Sequence, residues 1–302
     1  MNPIARHLLP DNASIDAAGN VSIAGITVED VAARFGTPVF IYDEDHLRAR
    51  CHEAVAAFGA DSVIYASKAF LCTAMARLVH DEGLLLDVAT GGELFVALNA
   101  GVPASRCVLH GNNKSTEELR MAMDAGVRHI VVDSFDELAR IEALVAQGLP
   151  SPRVQLRITP GVYVHTHEYI STGQDDSKFG FNLGNGDAAK AAERITSGDI
   201  GELVGFHCHI GSNVFAVESF AKAAEVMARD ATDAAITAKV TAALAADDRL
   251  SALGIDVDTT DGRVALSGTA PDAASRDRAT VLAQAVEGVV EVENRLTVRS
   301  QS

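Results

Sequence analysis

Ser62-Val-Ile-Tyr-Ala66, followed at once by Ser67-Lys-Ala69, sets the reading of this chain. A short, mainly apolar run closed by a polar pair suits a strand buried on both faces, as in a parallel sheet. Outward from it, similar runs recur at Leu84–Val88, Cys107–His110, His129–Val132, Arg153–Ile158 and Leu203–Cys208. Helical patterns fill the gaps. Most spacings are a little over twenty residues, as β-strand/α-helix units require. Ser115-Thr-Glu-Glu118 and Ser134-Phe-Asp-Glu137 fit the capping box that starts a helix. Gly101 and Gly126 suit left-handed caps at helix ends. Val39–Tyr42 reads as a further strand, and Asp43 or Asp45 caps a helix reaching about Phe58. Periodicity leaves an open doubly wound sheet and a β/α barrel equally available.

The 302 residues are 48% hydrophobic, enough for a packed core, and carry a net charge of −16. Residues 229–302 hold 8 Lys+Arg against 12 Asp+Glu, so both ends of the chain are acidic. That excludes nucleic acid as a partner, because phosphate binding needs clustered cations. Cys51, Cys72, Cys107 and Cys208 are scattered with no Cys-x-x-Cys, which favours reduced thiols and a cytoplasmic setting. Arg6 and His7 interrupt Ile4–Leu9, leaving no signal-peptide core. No run of about 18 apolar residues exists, so no transmembrane segment is expected. All ten histidines, all four cysteines and every aromatic residue precede residue 221, which points to a domain boundary in that region.

In β/α folds, reactive groups gather where strands end. Lys68 lies just past the first strand of the repeat. A lysine there can form a Schiff base with an aldehyde, and pyridoxal phosphate is the commonest such cofactor. On position alone, an ordinary loop lysine is the simpler reading. His209-Ile-Gly-Ser212 closes the sixth strand. An imidazole there can stack on a ring, while Ser212 and the Gly211 amide can donate to a phosphate. Arg157 sits inside a strand, where an unpaired guanidinium is costly to bury. Its expected partner is a cofactor oxygen or a carboxylate such as Asp87. Gly91-Gly92-Glu93 opens a helix and reads as an anion site or a tight turn. The long loop Pro160–Phe181 holds His165, His167, Ser171-Thr-Gly173 and Lys178-Phe-Gly180. Loops of that length are usually functional or disordered. The two histidines lack a third ligand at sensible spacing, so no metal site is expected.

Six ordered segments carry a resemblance: Tyr65-Ala-Ser-Lys-Ala69, Leu86-Asp-Val-Ala-Thr-Gly-Gly-Glu93, Leu109-His-Gly-Asn-Asn-Lys114, His165-Thr-His-Glu-Tyr-Ile-Ser-Thr-Gly173, Lys178-Phe-Gly180 and His207-Cys-His-Ile-Gly-Ser212. Together they resemble the fold-type III pyridoxal-phosphate decarboxylases of the alanine-racemase barrel kind, the diaminopimelate decarboxylases above all. The resemblance implies a β/α barrel, with Val39–Tyr42 belonging to a separate β-domain. It gives Lys68 the covalent link to pyridoxal 5'-phosphate, His209 the stacking position and Ser212 a phosphate contact. Arg157 and Asp87 would line the pocket. The family reaction turns meso-diaminopimelate into L-lysine and carbon dioxide, a step of lysine biosynthesis, and a homodimer is implied.

The departure from the family is large. Its last two barrel strands, Gly-rich phosphate loop, Glu-Pro-Gly-Arg and Cys-Glu-Ser-Gly-Asp segments have no counterpart after Met227. About six of eight strands are expected in residues 1–228, an incomplete barrel. Two or three missing charge-assisted hydrogen bonds to phosphate, at about 1.5–3 kcal/mol each, would weaken or abolish cofactor binding. Six strands also cannot close an eight-strand ring, which leaves apolar edges open. The expectation is a truncated lyase that is inactive or nearly so, with an active decarboxylase as the alternative.

Residues 229–302 read as a small α+β domain in the order α-β-β-α-β. Asp233–Ala246 is helical, with Ile236, Val240 and Leu244 on one face. Ile255–Thr259 and Arg263–Ser267 alternate as half-buried strands around a two-residue Asp261-Gly262 turn. Gly268 then breaks the strand, Thr269 with Pro271 starts a helix to about Val286, and Val289–Val298 is a third strand. Val264-Ala-Leu-Ser-Gly268 and Gly288–Val298 resemble a BON domain. That implies a non-enzymatic binding module for phospholipid or a small ligand, although an acidic surface gives little pull toward anionic lipid. Helical pattern continues across the junction from about Phe215 to Ala246 without a Gly/Pro/Ser linker, as in a fusion.

Overall fold

The computed structural model describes residues 5–159, 179–183, 185–198, 200–211, 217–251 and 253–298. Its residues fall into two units: 1–88 with 92–107, and 89–91 with 108–302.

In the first unit, β1 (Ser14–Ile15), β2 (Val21–Ile23) and β3 (Ile26–Thr27) form an antiparallel meander. Helix α1 (Val28–Phe35) starts where the Thr27 side chain accepts the Asp30 amide. Helix α2 (Glu44–Phe58) starts at Asp43, whose carboxylate accepts the His46 amide at 3.0 Å. The expected strand at Val39–Tyr42 is not there. Phe40 is 89% exposed, and β1–β3 pair only with one another. Its aromatic and β-branched composition favours a strand, but a strand needs a partner edge, and none is offered among the described residues. The β/α repeat begins with β4 (Ile64–Ala66), α3 (Thr73–Asp81), β5 (Leu85–Val88) and α4 (Gly91–Asn99). β4 and β5 pair in parallel, with Ala66 opposite Asp87. α3 buries Met75, Ala76, Leu78 and Val79.

The second unit continues the repeat through β6 (Cys107–Leu109), α5 (Thr116–Ala125), β7 (His129–Val132), α6 (Phe135–Ala146), β8 (Arg153–Thr159), β9 (Phe181–Asn182), α7 (Asp187–Ser197) and β10 (Glu202–His207). The order β10-β8-β7-β6 is parallel throughout, and the short β9 pairs in parallel with the end of β8. β6 and β7 are buried along their whole length, as their unbroken apolar runs require. All six runs read from the sequence are strands. β9 was not legible, because two residues carry no period.

Ser115 and Glu118 form the complete capping box on α5. On α6 the box is half made. Ser134 accepts the Glu137 amide, but the Glu137 carboxylate turns inward to Lys114 and to the Asp133 amide. Gly126 takes the left-handed conformation at the end of α5, and Gly101 has φ +86° after α4.

Helix α8 (Val217–Ala245) runs unbroken for 29 residues, so Arg229 and Asp230 lie inside one helix. It is followed by β11 (Ile255–Thr260), β12 (Arg263–Ala270), α9 (Ala273–Gln284), β13 (Glu291–Asn294) and β14 (Thr297–Val298). β11 and β12 form the antiparallel hairpin, and β13 and β14 pair in parallel with β12. Asp261 (φ +50°) and Gly262 (φ +72°) supply the two positive φ angles of a type I′ turn. Ile236, Val240 and Leu244 of α8 pack with Val264, Leu266 and Ala279 in one buried cluster.

The C-terminal strands and helix depart from the sequence expectation at three places. β12 passes through Gly268 to Ala270: with φ +125° and no Cβ, this glycine lets the Gly254 carbonyl come close and the ladder go on. α9 starts at Ala273, because the Asp272 carboxylate accepts the Ser275 amide at 2.7 Å and so sets the cap two residues late. The last strand is split at Arg295-Leu296, where the Arg295 amide reaches the Leu266 carbonyl.

Candidate active site

Lys68 sits on a single 3-10 turn, Ser67–Ala69, immediately after β4. The Tyr65 hydroxyl donates to the Phe70 carbonyl at 2.7 Å and closes that turn, and Phe70 stacks on Tyr42 at 4.2 Å. The lysine is exposed, so its amine is open to a carbonyl. Asp87, on β5, stands opposite Ala66, two residues before Lys68. Burial raises the Asp87 carboxyl to about 6. The charge of Glu93 adds to the rise, and that of Lys68 opposes it. Lys68 and Asp87 therefore feel each other electrostatically.

In the second unit, Arg157 finds its carboxylate in Asp133, which the sequence reading did not name. Asp133 Oδ1 accepts Arg157 Nη1 at 3.2 Å. Asp133 follows β7 directly, and Val132 is in register with Leu156, so the pair are the next neighbours along the two strands. The sequence distance of 24 residues hid this pairing. The Arg157 guanidinium also lies 4.6 Å from the Phe179 ring centre. Gly180 has φ +73°, and a Cβ there would lie 2.7 Å from the Arg157 carbonyl oxygen, so only glycine fits.

Lys114 and Glu137 were not expected as site neighbours. Lys114 is buried, and its Nζ donates to the Val131 carbonyl at 2.8 Å and to the Gly111 carbonyl while meeting Glu137 Oε1 at 2.7 Å. Burial pushes the lysine down and the glutamic acid up, and their mutual attraction opposes both movements. The pair ties the loop after β6 to the first turn of α6.

His110 and His207 meet edge to face at 4.8 Å. Burial is the main reason both stay neutral, with pKa values of about 3 and about 4; each also feels the other elements' positive charge, Arg157 included. His209 lies beyond the end of β10 in a cavity of about 310 Å³ with Cys208, Ile210, Gly211, Phe220 and Ala223. Ser212, His165, His167, Ser171-Thr-Gly173 and Lys178 lie outside the described residues. The Gly91 amide at the start of α4 is already taken by Glu118 Oε1 at 2.9 Å, so the chain's own carboxylate fills that anion position.

No group of three or more potential metal ligands occurs among the described residues. No described helix is long and apolar enough to cross a membrane. Within the first unit the donor set suits pyridoxal phosphate: an open amine for the aldehyde and a carboxyl group beside it.

Residues 44–243 match the family described as pyridoxal-dependent decarboxylase, pyridoxal binding domain, and residues 232–300 match the BON domain. The chain is 49% identical over 222 residues to diaminopimelate decarboxylase of Mycobacterium tuberculosis, covering 73% of this chain and 50% of that protein. It is 48% identical over 211 residues to the Bacillus subtilis enzyme of the same name, covering 68% and 48%. A crystal structure of diaminopimelate decarboxylase from M. jannaschii with L-lysine superposes with a TM-score of 0.62 at 33% identity, over 70% of this chain and 50% of that one. The chain thus spans about half the length of the curated relatives it matches. It belongs to the pyridoxal-dependent decarboxylases through their pyridoxal binding domain, and it carries a BON domain over residues 232–300.

Proposed function

We propose that residues 1–228 are a pyridoxal-phosphate decarboxylase part, an incomplete barrel of about six of eight strands, joined to a BON module at 229–302. Lys68 holds the cofactor aldehyde, and as it stands this chain decarboxylates meso-diaminopimelate weakly or not at all. The carrying observation is the open Lys68 amine at the end of β4 with the Asp87 carboxyl in its field. The weak activity is supported by the BON match, which begins at residue 232, inside α8.

When bound, the cofactor supplies the electron sink that makes loss of carbon dioxide from an amino acid easy. The chain's own residues bind and orient it. Asp87, raised to about 6, is mainly a carboxylate at pH 7 and offers a counter-charge near Lys68. His209 offers a flat ring for stacking, and the Gly211 amide and Ser212 hydroxyl are phosphate donors. Arg157 supplies positive charge, while His110 and His207 stay neutral and add none. Two or three phosphate contacts of the family have no counterpart here, a loss of roughly 3–9 kcal/mol, or about two to six decades of affinity. The resemblance also implies a homodimer, and the scattered cysteines of the sequence suit a cytoplasmic setting.

A spectrophotometric titration with pyridoxal phosphate, paired with carbon dioxide release from meso-diaminopimelate, tests this reading. Weak binding that disappears in Lys68→Ala, with little or no carbon dioxide, is expected. Turnover at the rate of a complete enzyme, lost in Lys68→Ala, would overturn it.

A second role rests on the C-terminal residues, which bury their own apolar cluster. We read them as a binding module for a phospholipid headgroup or a small molecule. Vesicle flotation with phosphatidylglycerol against phosphatidylcholine separates the headgroup from a soluble ligand.

A further inference from the structure

We propose that Asp133 is a positioning residue that aims the Arg157 guanidinium, so that its unused N–H groups face an anion. The inference rests on the cofactor reading above for the identity of that anion, and on geometry alone for the aiming.

Asp133 divides its two oxygens between two elements. Oδ1 accepts Arg157 Nη1 from β8 at 3.2 Å, and Oδ2 accepts the Gly180 amide ahead of β9 at 3.0 Å. The Thr159 hydroxyl donates to the Phe179 carbonyl at 2.7 Å, which closes the same neck of chain. Arg157 is thus held at one edge by a carboxylate and along one face by the Phe179 ring. A guanidinium has five N–H groups, and among the described residues the remaining ones take no acceptor. A mostly buried cation with directed, uncommitted donors is suited to a phosphate or carboxylate.

Asp133 is itself braced. Its amide donates to Glu137 Oε2 at 3.1 Å, and the other Glu137 oxygen meets Lys114 Nζ at 2.7 Å. This fixes the backbone from which the carboxylate reaches. Neutralising a buried arginine would need only a carboxylate somewhere near. Sharing that carboxylate with the Gly180 amide leaves it one orientation, and so leaves the guanidinium one as well.

The test uses the full chain as wild type, Asp133→Asn, Asp133→Glu, Arg157→Gln and the Asp133→Asn/Arg157→Gln double variant. Pyridoxal phosphate affinity is read by absorbance titration. The Arg157 guanidinium is read by NMR on protein labelled with 15N-arginine, its signal identified by its loss in Arg157→Gln. Asp133→Asn is expected to weaken cofactor binding at least fivefold, with no further loss in the Arg157→Gln background. It should also move the Arg157 signal toward that of a solvated arginine. Losses that multiply in the double variant, or an Arg157 signal that stays put, would overturn the proposal. If the wild type binds no cofactor, the cofactor reading fails and the NMR signal alone decides the aiming. If Asp133→Asn does not fold, Asp133→Glu replaces it, since one extra methylene must also displace the signal; an unmoved signal there is equally fatal.

Discussion

Asp233, in the middle of α8, accepts the Gly262 amide at 2.8 Å with one carboxylate oxygen, and the Asp261 amide at 2.8 Å with the other. The helix therefore holds the tip of the β11–β12 hairpin through a buried carboxylate. Each bond to a charged acceptor contributes about 1.5–3 kcal/mol. Asp233→Ala should destabilise the C-terminal residues by about 3 kcal/mol or more, and Asp233→Asn, which keeps one acceptor, by less. Urea melts followed by far-ultraviolet circular dichroism report this, because residues 229–302 contain no aromatic side chain. A midpoint unchanged in Asp233→Ala would show that the clamp is idle.

Lys114 and Glu137 are fully buried opposites, so losing either one strands a charge. Lys114→Met and Glu137→Leu are each expected to cost about 3–5 kcal/mol. The double variant should cost less than either single one, since two apolar side chains can fill the same space. Chemical denaturation of the four proteins gives the coupling. Additive losses would mean that the two groups do not interact.

The buried imidazoles set a pH dependence. His110, His207 and His129 lie at about 3, about 4 and about 4, below the 6.5 of an unfolded histidine. The unfolded chain binds more protons, so this stability is present above pH 6.5 and is lost as pH falls toward 4. Asp87 acts oppositely: raised from 3.8 to about 6, its contribution is present at low pH and is lost as pH rises through that window. Three groups outweigh one, and acid should destabilise the fold. At about 1.36 kcal/mol for each pH unit, each histidine contributes on the order of 2–3 kcal/mol by pH 4.5. His129→Gln should flatten the dependence of the urea midpoint on pH between 6.5 and 4.5; an unaltered slope contradicts the assignment.

Gly268 and Gly254 face each other but are not equivalent. A Cβ on Gly268 would lie 2.5 Å from the Gly254 carbonyl oxygen at φ +125°, whereas a Cβ on Gly254 meets nothing within 4 Å. Gly268→Ala should cost at least about 2 kcal/mol, from left-handed strain plus the clash. Gly254→Ala should stay within about 1 kcal/mol of wild type. Thermal melts of the two variants decide it, and equal melting points would refute the asymmetry.

Strands and caps were legible where local chemistry decides them. The runs ending at Val88 and Val132 are strands buried almost throughout, as their apolar composition requires, whereas the run ending at Ala66 is a strand with Ile64 exposed. Asp43, Ser115 and Ser134 start helices because a side-chain oxygen three residues ahead satisfies an orphan amide. The place of Lys68 just past a strand was legible because the run before it ends at Ala66. The Asp133–Arg157 pair was not, since which carboxylate meets a guanidinium depends on strand register, a property of two segments at once. Val39–Tyr42 failed for the same kind of reason: its propensity is local, but its pairing is not. Gly268 shows the converse, a residue that usually ends strands and here permits a close approach.

The unbroken α8 has a mechanical corollary. One residue inserted between Val226 and Asp233 would rotate everything downstream by about 100° and advance it by about 1.5 Å. The Asp233 carboxylate, the hairpin tip it grips and the Ile236 stripe would turn together as one rigid passenger, keeping their own bonds while changing heading. Torque would thus pass along the rod with no slack to absorb it.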